Sequence, residues 1–314
     1  MTRSLPLVVV AALLLAGCGA EPTTTGPADP PATPPSSSTA SPGAEVPPSP
    51  PAADPQVAER LAALEEDFDA RLGVMALDTG SGAVVEHRAD ERFAAASTLK
   101  AFSAAAVLDG DADLDRVVTW GTGDLVTSSP VTEQHVDDGL PLREVARAAA
   151  QDSDNTAANL LYDELGGPAA LQDWLRDLGD TTTRADRPEP GLNDVGPGDE
   201  RDTSTPRALA GTLERVLLGD ALAVDDRELL DTWLRGTTTT SALVRAGVPD
   251  GWVVADKSGA AAYGTRDVVA VVRPPDRAPL VLALMSDRRD AGEDAAYDDA
   301  LLAAATEVVV DALG

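Results

Sequence analysis

The stretch Ala94–Leu108, "AAASTLKAFSAAAVL", carries one of only two lysines in a chain of 314 residues that contains 22 arginines. The second lysine lies far downstream, in "ADKSGAAAYGTRD". Ser97 and Lys100 are three residues apart, so on a helix they share a face, one turn from each other. A serine hydroxyl is a weak nucleophile until a base takes its proton, and a neutral amine one turn away can do so. Arginine cannot, because a guanidinium stays protonated in proteins, whereas a buried lysine shifts its pKa readily. Ser-x-x-Lys alone is a weak signal, since exposed helices contain it by chance. Here the flanks are apolar, Phe93-Ala94-Ala95-Ala96 before and Ala101-Phe102 after, so the helix is buried. A buried serine and lysine need polar partners.

Two further stretches offer such partners. Ser153-Asp154-Asn155, in "QDSDNTAANLL", sets a hydroxyl, a carboxylate and an amide just before an amphipathic helix. By itself the triplet reads as a helix N-cap cluster. Lys257-Ser258-Gly259 ends an apolar strand, where glycine lets a ligand approach the backbone closely. By itself it reads as an ordinary strand end.

The rest of the pattern supplies a frame for these stretches. In "VAERLAALEEDFDARLG", Val57, Leu61, Leu64, Phe68 and Leu72 recur at helical spacing. "GVMALDTGSGAVVEHRADERF" alternates on either side of Asp78–Gly82, as a hairpin does. Alanine and leucine at helical spacing fill roughly 97–245, interrupted by a long irregular loop between Arg184 and Pro206, a kind of segment that is usually functional. "GWVVADKSG", "TRDVVAVVRP" and "PLVLALMSD" read as three strands of one sheet, and "EDAAYDDALLAAATEVVVDAL" as a closing helix. The expected class is α/β (α+β). An α/β lobe is built from about 56–96 and 246–314, and an all-helical lobe from about 97–245.

In the order S-x-x-K, S-D-N, K-[ST]-G, the three motifs form the set found in class A β-lactamases and penicillin-binding proteins. From about residue 56 to 314 the chain resembles that superfamily, and within it a class A β-lactamase. "SPVTEQHVDDG", "SDNTAANLL", "GGPAAL" and "RDTSTP" extend the likeness beyond the motifs. The resemblance implies a two-lobed fold with an antiparallel sheet flanked by terminal helices. It implies hydrolysis of the β-lactam ring of penicillins and some cephalosporins through an acyl-serine, resistance to those drugs, and no cofactor beyond a catalytic water. On the same basis Ser97 is the nucleophile, with its own N–H and that of Ala260 as the oxyanion hole. Ser153 relays the proton to the leaving nitrogen, and Lys257 supports that relay. Asn155 holds the substrate's amide side chain, while Ser258 and Arg266 bind its carboxylate beside Gly259.

The long loop separates a β-lactamase from a penicillin-binding protein, since only the former hydrolyses its acyl-serine fast. That step needs a water and a carboxylate to deprotonate it. "RPEPGLN" matches the Glu-x-x-Leu-Asn pattern of class A enzymes, with Glu189 as base and Asn193 as second holder of the water. Arg187 and Asp202 match the ion pair that closes this loop. Ser128 stands at a gate position where many relatives carry an aromatic residue, so substrate stacking there is expected to be weak. Either Lys100 or Glu189 could serve as the acylation base.

Other assignments fit less well. A Ser-His-Asp hydrolase has no support, since His87 lies in the early hairpin, His135 in "TEQHVDDG", and no G-x-S-x-G elbow exists. A D-alanyl-D-alanine peptidase and a non-hydrolysing antibiotic receptor both form an acyl-serine, but Glu189 and Asn193 argue against each. The formal charge of −29 argues against nucleic acid as a partner and requires a local positive field for an anionic drug, which Lys100, Lys257 and Arg266 would supply. With one cysteine there is no internal disulfide, and two histidines make a zinc site improbable.

The N-terminus reads as an export and anchoring device. Arg3 and the apolar run Leu5–Ala16 suit a signal peptide over residues 1–17, and Leu15-Ala16-Gly17-Cys18 looks like a lipoprotein box with Cys18 as the lipidated residue. Residues 18–55 hold half the chain's prolines and almost no large apolar side chain, the composition of an extended tether. The expectation is a monomeric catalytic domain, 56–314, held by lipid to the outer face of a bacterial membrane.

Overall fold

A computed structural model describes residues 55–288 and 291–314. The expected signal peptide, Cys18 and nearly all of the tether lie outside the described residues. Pro55, assigned to the tether's end, instead opens the first helix, α1 (Pro55–Phe68). There follow β1 (Arg71–Asp78), β2 (Val84–His87) and the two-residue β3 (Phe93–Ala94). A 3-10 turn, Ala96–Thr98, leads into α2 (Leu99–Asp109). The middle of the chain holds β4 (Val117–Val118), β5 (Leu140–Pro141), α3 (Leu142–Gln151), α4 (Asn155–Leu165) and α5 (Pro168–Asp177). After the irregular loop come β6 (Thr203–Ser204), α6 (Pro206–Leu217), α7 (Val224–Arg235) and the short α8 (Val244–Gly247). The chain closes with β7 (Val253–Ala261), β8 (Thr265–Arg273), β9 (Leu280–Asp287) and α9 (Asp299–Leu313).

The main sheet is antiparallel throughout, in the order β2-β1-β9-β8-β7. Its central strands are apolar on both faces because both faces are covered. Along β9, Leu280, Leu282 and Leu284 join the core under α1 and α9, while Val281, Ala283 and Met285 join the core under the helical layer. The same two-residue period divides β8, with Val268, Ala270 and Val272 on one side and Val269 and Val271 on the other. This agrees with the expected α+β architecture. Among the described residues no helix is long and apolar enough to cross a membrane.

Three local expectations shift. The opening helix does not run on to Leu72. It ends at Phe68, Asp69 turns into the left-handed region, and Leu72 is buried in β1 with its N–H donating to Glu65 Oε1 at 2.7 Å. Helical spacing of apolar residues survives a break by coincidence when the next strand also has to bury a residue. The last helix starts at Asp299, not Glu293, because the Asp298 carboxylate accepts the Ala300 N–H and caps it there. Finally α6, placed with the helical lobe by its position in sequence, packs on β9, β8 and β1 and forms part of the sheet's cover.

Candidate active site

Among the described residues, helix α2 is the most buried helix, with every residue from Leu99 to Leu108 inside. Its alanines and Phe102 belong to the apolar core of the helical layer. Lys100 is 1% exposed on this helix, and Ser97, just before it, is half-buried at the edge of a cleft of about 860 Å³. Ser97 thus stands on a rigid platform. The turn that presents it is strained: Ala96 has φ 44°. Ser128, Ser153 and Asp202, all expected at the site, also have positive φ. Such conformations cost roughly 1–3 kcal/mol each and collect at functional sites.

All three motifs converge on the cleft. Lys100 Nζ donates to the Ser153 carbonyl at 2.9 Å and to Asn155 Oδ1, and lies 2.9 Å from Glu189 Oε1. Ser97 Oγ lies 3.5 Å from the same Glu189 oxygen. Lys257, fully buried on β7, donates to Ser153 Oγ at 2.9 Å and to the Ser258 carbonyl at 2.8 Å. Burial pushes the Lys100 ammonium down from its ordinary range, while Glu189 opposes that shift. Lys257 is pushed well down, by burial first and then by the nearby Lys100. Both lysines are therefore biased toward the neutral amine that can accept a proton.

Asp154 explains why the Ser-Asp-Asn stretch reads as a cap and is more than one. Its carboxylate accepts the Ala157 N–H at the start of α4, and also the N–H groups of Val131 and Thr132 at 2.9 Å. It ties Val131 and Thr132, which follow the Ser128–Pro130 edge of the cleft, to α4. Asn155 is more committed than expected: Oδ1 faces Lys100 and Nδ2 donates to the Thr127 carbonyl at 2.8 Å.

The irregular loop lines the cleft with Pro190, Asn193 and Asp194 and buries Glu189, 3% exposed, beside Ser97. Asn193 Nδ2 donates to Glu189 Oε2 at 2.6 Å. Arg187 and Asp202 form the expected pair at 2.6 Å, and the buried Asp202 carboxylate also accepts the N–H groups of Asp186 and Arg187. Asn159 was not anticipated from the sequence. It holds Glu189 from both sides of the backbone, Nδ2 to the Glu189 carbonyl at 2.9 Å and Oδ1 from its N–H at 2.8 Å. Its position one turn after Asn155 on α4 was the available signal.

The far wall is formed by Ser258, Gly259, Ala260 and Arg266. Ser258 Oγ lies 3.1 Å from Thr239 Oγ1, a second hydroxyl the sequence reading missed. Arg266 is not free, as its role in binding a carboxylate had implied. Its Nε donates to Asp299 at 2.7 Å, Nη1 to the Gly259 carbonyl at 3.3 Å, and its guanidinium lies 4.9 Å from the Tyr297 ring centroid. Ser128 is exposed on the cleft rim, and the aromatic residue lining the cleft is Tyr297 instead. Among the described residues no group of histidine, cysteine and carboxylate side chains is arranged to hold a metal ion.

Comparison with known proteins places this geometry. Residues 56–313 match the model of the beta-lactamase enzyme family. A beta-lactamase of Amycolatopsis lactamdurans is 53% identical over 263 residues, which is 83% of this chain and 86% of that protein. The crystal structure of a halotolerant bacterial beta-lactamase, 50% identical, superposes with a TM-score of 0.78 over 81% of this chain and 98% of its own. That of a class A beta-lactamase from Clostridium kluyveri DSM 555, 42% identical, superposes with a TM-score of 0.80 over 82% and 98%.

Proposed function

The chain belongs to the beta-lactamase enzyme family as a class A serine β-lactamase, a hydrolase of β-lactams that confers resistance to them, and from that premise we propose how its residues divide the chemistry. Ser97 Oγ attacks the β-lactam carbonyl carbon and passes its proton to the shared Lys100–Glu189 centre. The tetrahedral oxyanion is held by the N–H groups of Ser97 and Ala260. As the ring C–N bond breaks, Ser153 gives its proton to the leaving nitrogen and is reprotonated by the proton that Ser97 released, passed on by Lys100, with Lys257 holding the Ser153 hydroxyl in place. A water between Glu189 and Asn193 then attacks the acyl carbon. Glu189 takes a proton from that water and passes it to Ser97 Oγ as the ester C–O bond breaks, which frees the ring-opened acid and restores both residues. Water is the only co-reactant, and no metal or organic cofactor takes part.

One observation carries this division: Glu189 Oε1 is within 3.5 Å of Ser97 Oγ and 2.9 Å of Lys100 Nζ. A carboxylate there serves deacylation, which distinguishes a hydrolase from a peptidase or receptor that keeps its acyl-serine. Incubation with a chromogenic cephalosporin tests it. Many turnovers per protein are expected, and a single burst that leaves Ser97 acylated would overturn the assignment.

Penicillins and the simpler cephalosporins are the proposed substrates. The carboxylate common to them is placed against Ser258 and Arg266, and Asn155 against the amide side chain, for which its Nδ2 group has a second proton. Because Asp299 already neutralises much of the Arg266 charge, Arg266 acts by orientation as well as by field. In Arg266→Ala, KM for benzylpenicillin is expected to rise about tenfold with kcat changed far less, the mark of binding shared by ground and transition states. Unchanged steady-state kinetics would remove Arg266 from the site.

The catalytic domain, 56–314, is further proposed to be a monomer exported by residues 1–17 and held to the outer face of the membrane by a lipid on Cys18. Support comes from the short apolar run, the Leu-Ala-Gly-Cys box and the proline-rich spacer. The protein is expected in the detergent phase of a cell extract, and Cys18→Ser is expected to move it to the aqueous phase. Equal partition of the two forms would remove the anchor.

A further inference from the structure

Behind the cleft wall lies a carboxyl group that the proposed chemistry does not use. Asp267 is 0% exposed in the middle of the sheet, where it stands opposite Gly259 on β7 and Met285 on β9. The two-residue period puts it on the same face as Val269 and Val271, toward the helical layer. Its Oδ1 accepts one long hydrogen bond, from the Ser286 N–H at 3.3 Å, and its Oδ2 has no donor at all. The charged groups around it are engaged elsewhere. On β8, Arg266 pairs with Asp299, and on β1, Arg71 pairs with Asp287 of β9 at 2.6 Å and with Glu91. On β7 the nearest titratable side chain is Lys257, committed to Ser153 and Ser258. The Ala96–Thr98 turn packed against β7 and β8 contributes no charge.

What Oδ2 does face is backbone. A Cβ on Gly259 would stand 3.3 Å from Asp267 Oδ2, 3.3 Å from the Ala95 carbonyl oxygen and 3.0 Å from the Ala96 Cβ. Glycine at 259 thus keeps open a gap that the Asp267 carboxyl oxygen and the Ala95 carbonyl oxygen both border. A buried ionised carboxylate with an unpartnered oxygen is unfavourable there. A proton on the carboxyl removes the charge and gives the gap a donor that a carbonyl can accept. The Ala95 carbonyl is also where the nucleophile's turn is tied, accepting the Thr98 N–H at 3.1 Å and the Thr98 hydroxyl at 2.5 Å.

We propose that Asp267 is a positioning residue whose carboxyl, carrying a proton, links the strand that holds Gly259 and Ala260 to the turn that presents Ser97. It holds the two halves of the oxyanion site, the Ser97 and Ala260 backbones, in register, and it supports the left-handed Ala96 between them. Burial, and then Asp287, drive the carboxyl well above the ordinary carboxylate range, which favours the protonated form. Because the folded pKa lies above the unfolded one, Asp267 takes up a proton on folding. Stability is therefore lost as pH rises from the unfolded pKa of about 3.9 toward the folded value.

Asp267→Asn supplies a neutral donor of the same shape, and Asp267→Ala supplies none. At neutral pH the infrared difference between wild type and D267N is expected to contain the carbonyl band of a neutral carboxylic acid. The melting temperature of D267N is expected to exceed that of wild type by a margin that grows as pH rises above the unfolded pKa of about 3.9. D267N should keep kcat at neutral pH, whereas D267A should lose about tenfold or more in kcat with KM little changed, as misplacement of reacting groups does. Absence of the acid band, or a stability difference that does not vary with pH, would overturn the proton. Loss of kcat in D267N, or none in D267A, would overturn the positioning role. The kinetic readout rests on the proposed role of Ser97, while the infrared and stability readouts do not, so failure of either is distinguishable.

Discussion

Glu189→Gln is expected to turn this enzyme into a trap. The amide keeps the shape of the carboxyl and still meets Asn193, but it cannot take a proton from water. Acylation retains Lys100 as a base, so a penicillin should still react with Ser97, whereas hydrolysis of the ester should slow by about 10²–10⁴-fold, the range for losing a positioned general base. Mass spectrometry of the mixture should then show the intact protein heavier by one whole substrate, and a cephalosporin assay should show a burst of one equivalent. The surroundings favour a clean result. Asn159 grips the backbone of residue 189 from both sides, so the loop should not move when the charge is removed. Free turnover by E189Q would mean that another group deprotonates the water, and the deacylation assignment would fall.

The second large effect is expected from Lys100→Arg. The lysine amine sits 1% exposed among the Ser153 carbonyl, Asn155 Oδ1 and Glu189 Oε1. Burial lowers its pKa, and it can return to the neutral amine. A guanidinium cannot deprotonate, and its planar fork is bulkier than the buried amine it would replace. Acylation of Ser97 is expected to fall by about 10²–10⁴-fold, read as the rate of a stopped-flow burst. If Glu189 were the sole acylation base, K100R would acylate at a rate close to wild type provided that circular dichroism shows it folded. Comparison of K100R with E189Q therefore assigns each base to its half of the reaction.

Much of the site was legible because its chemistry restricts residue choice. A chain that writes nearly every cation as arginine retains lysine at 100 and 257, and the structure puts both inside, each within 2.9 Å of an atom of Ser153. Glu189 and Asn193 were legible from their spacing in the loop, as were Arg187 and Asp202. Asn159, Thr239, Tyr297 and Asp299 were not. Asn159 has only Asn155 one turn before it as a hint and the others have none, since their partners come from elements 30 residues away or more in Asn159 and Asp299, and from β7 and β8 in Thr239 and Tyr297. Asp267 was least visible. An aspartate between an arginine and a run of valines gives no local sign of a role until the register sets it opposite Gly259, at a gap that the Ala95 carbonyl also borders.

The sequence by itself determined the elements and the reactive groups, because hydrophobic period and proton chemistry are local properties of residue type and spacing. The strands, the buried helix after Ser97 and the Ser97–Lys100 spacing follow from neighbours within one or two turns, while the antiparallel order was an implication of the resemblance. Only the tertiary structure decided how those groups are biased. It set which carbonyl Lys100 meets, that Asn155 is occupied, that Arg266 is shared with Asp299, and that α6 covers the sheet. Burial and the choice of facing partner fix the energy of a charge, and both depend on contacts between segments far apart in the chain.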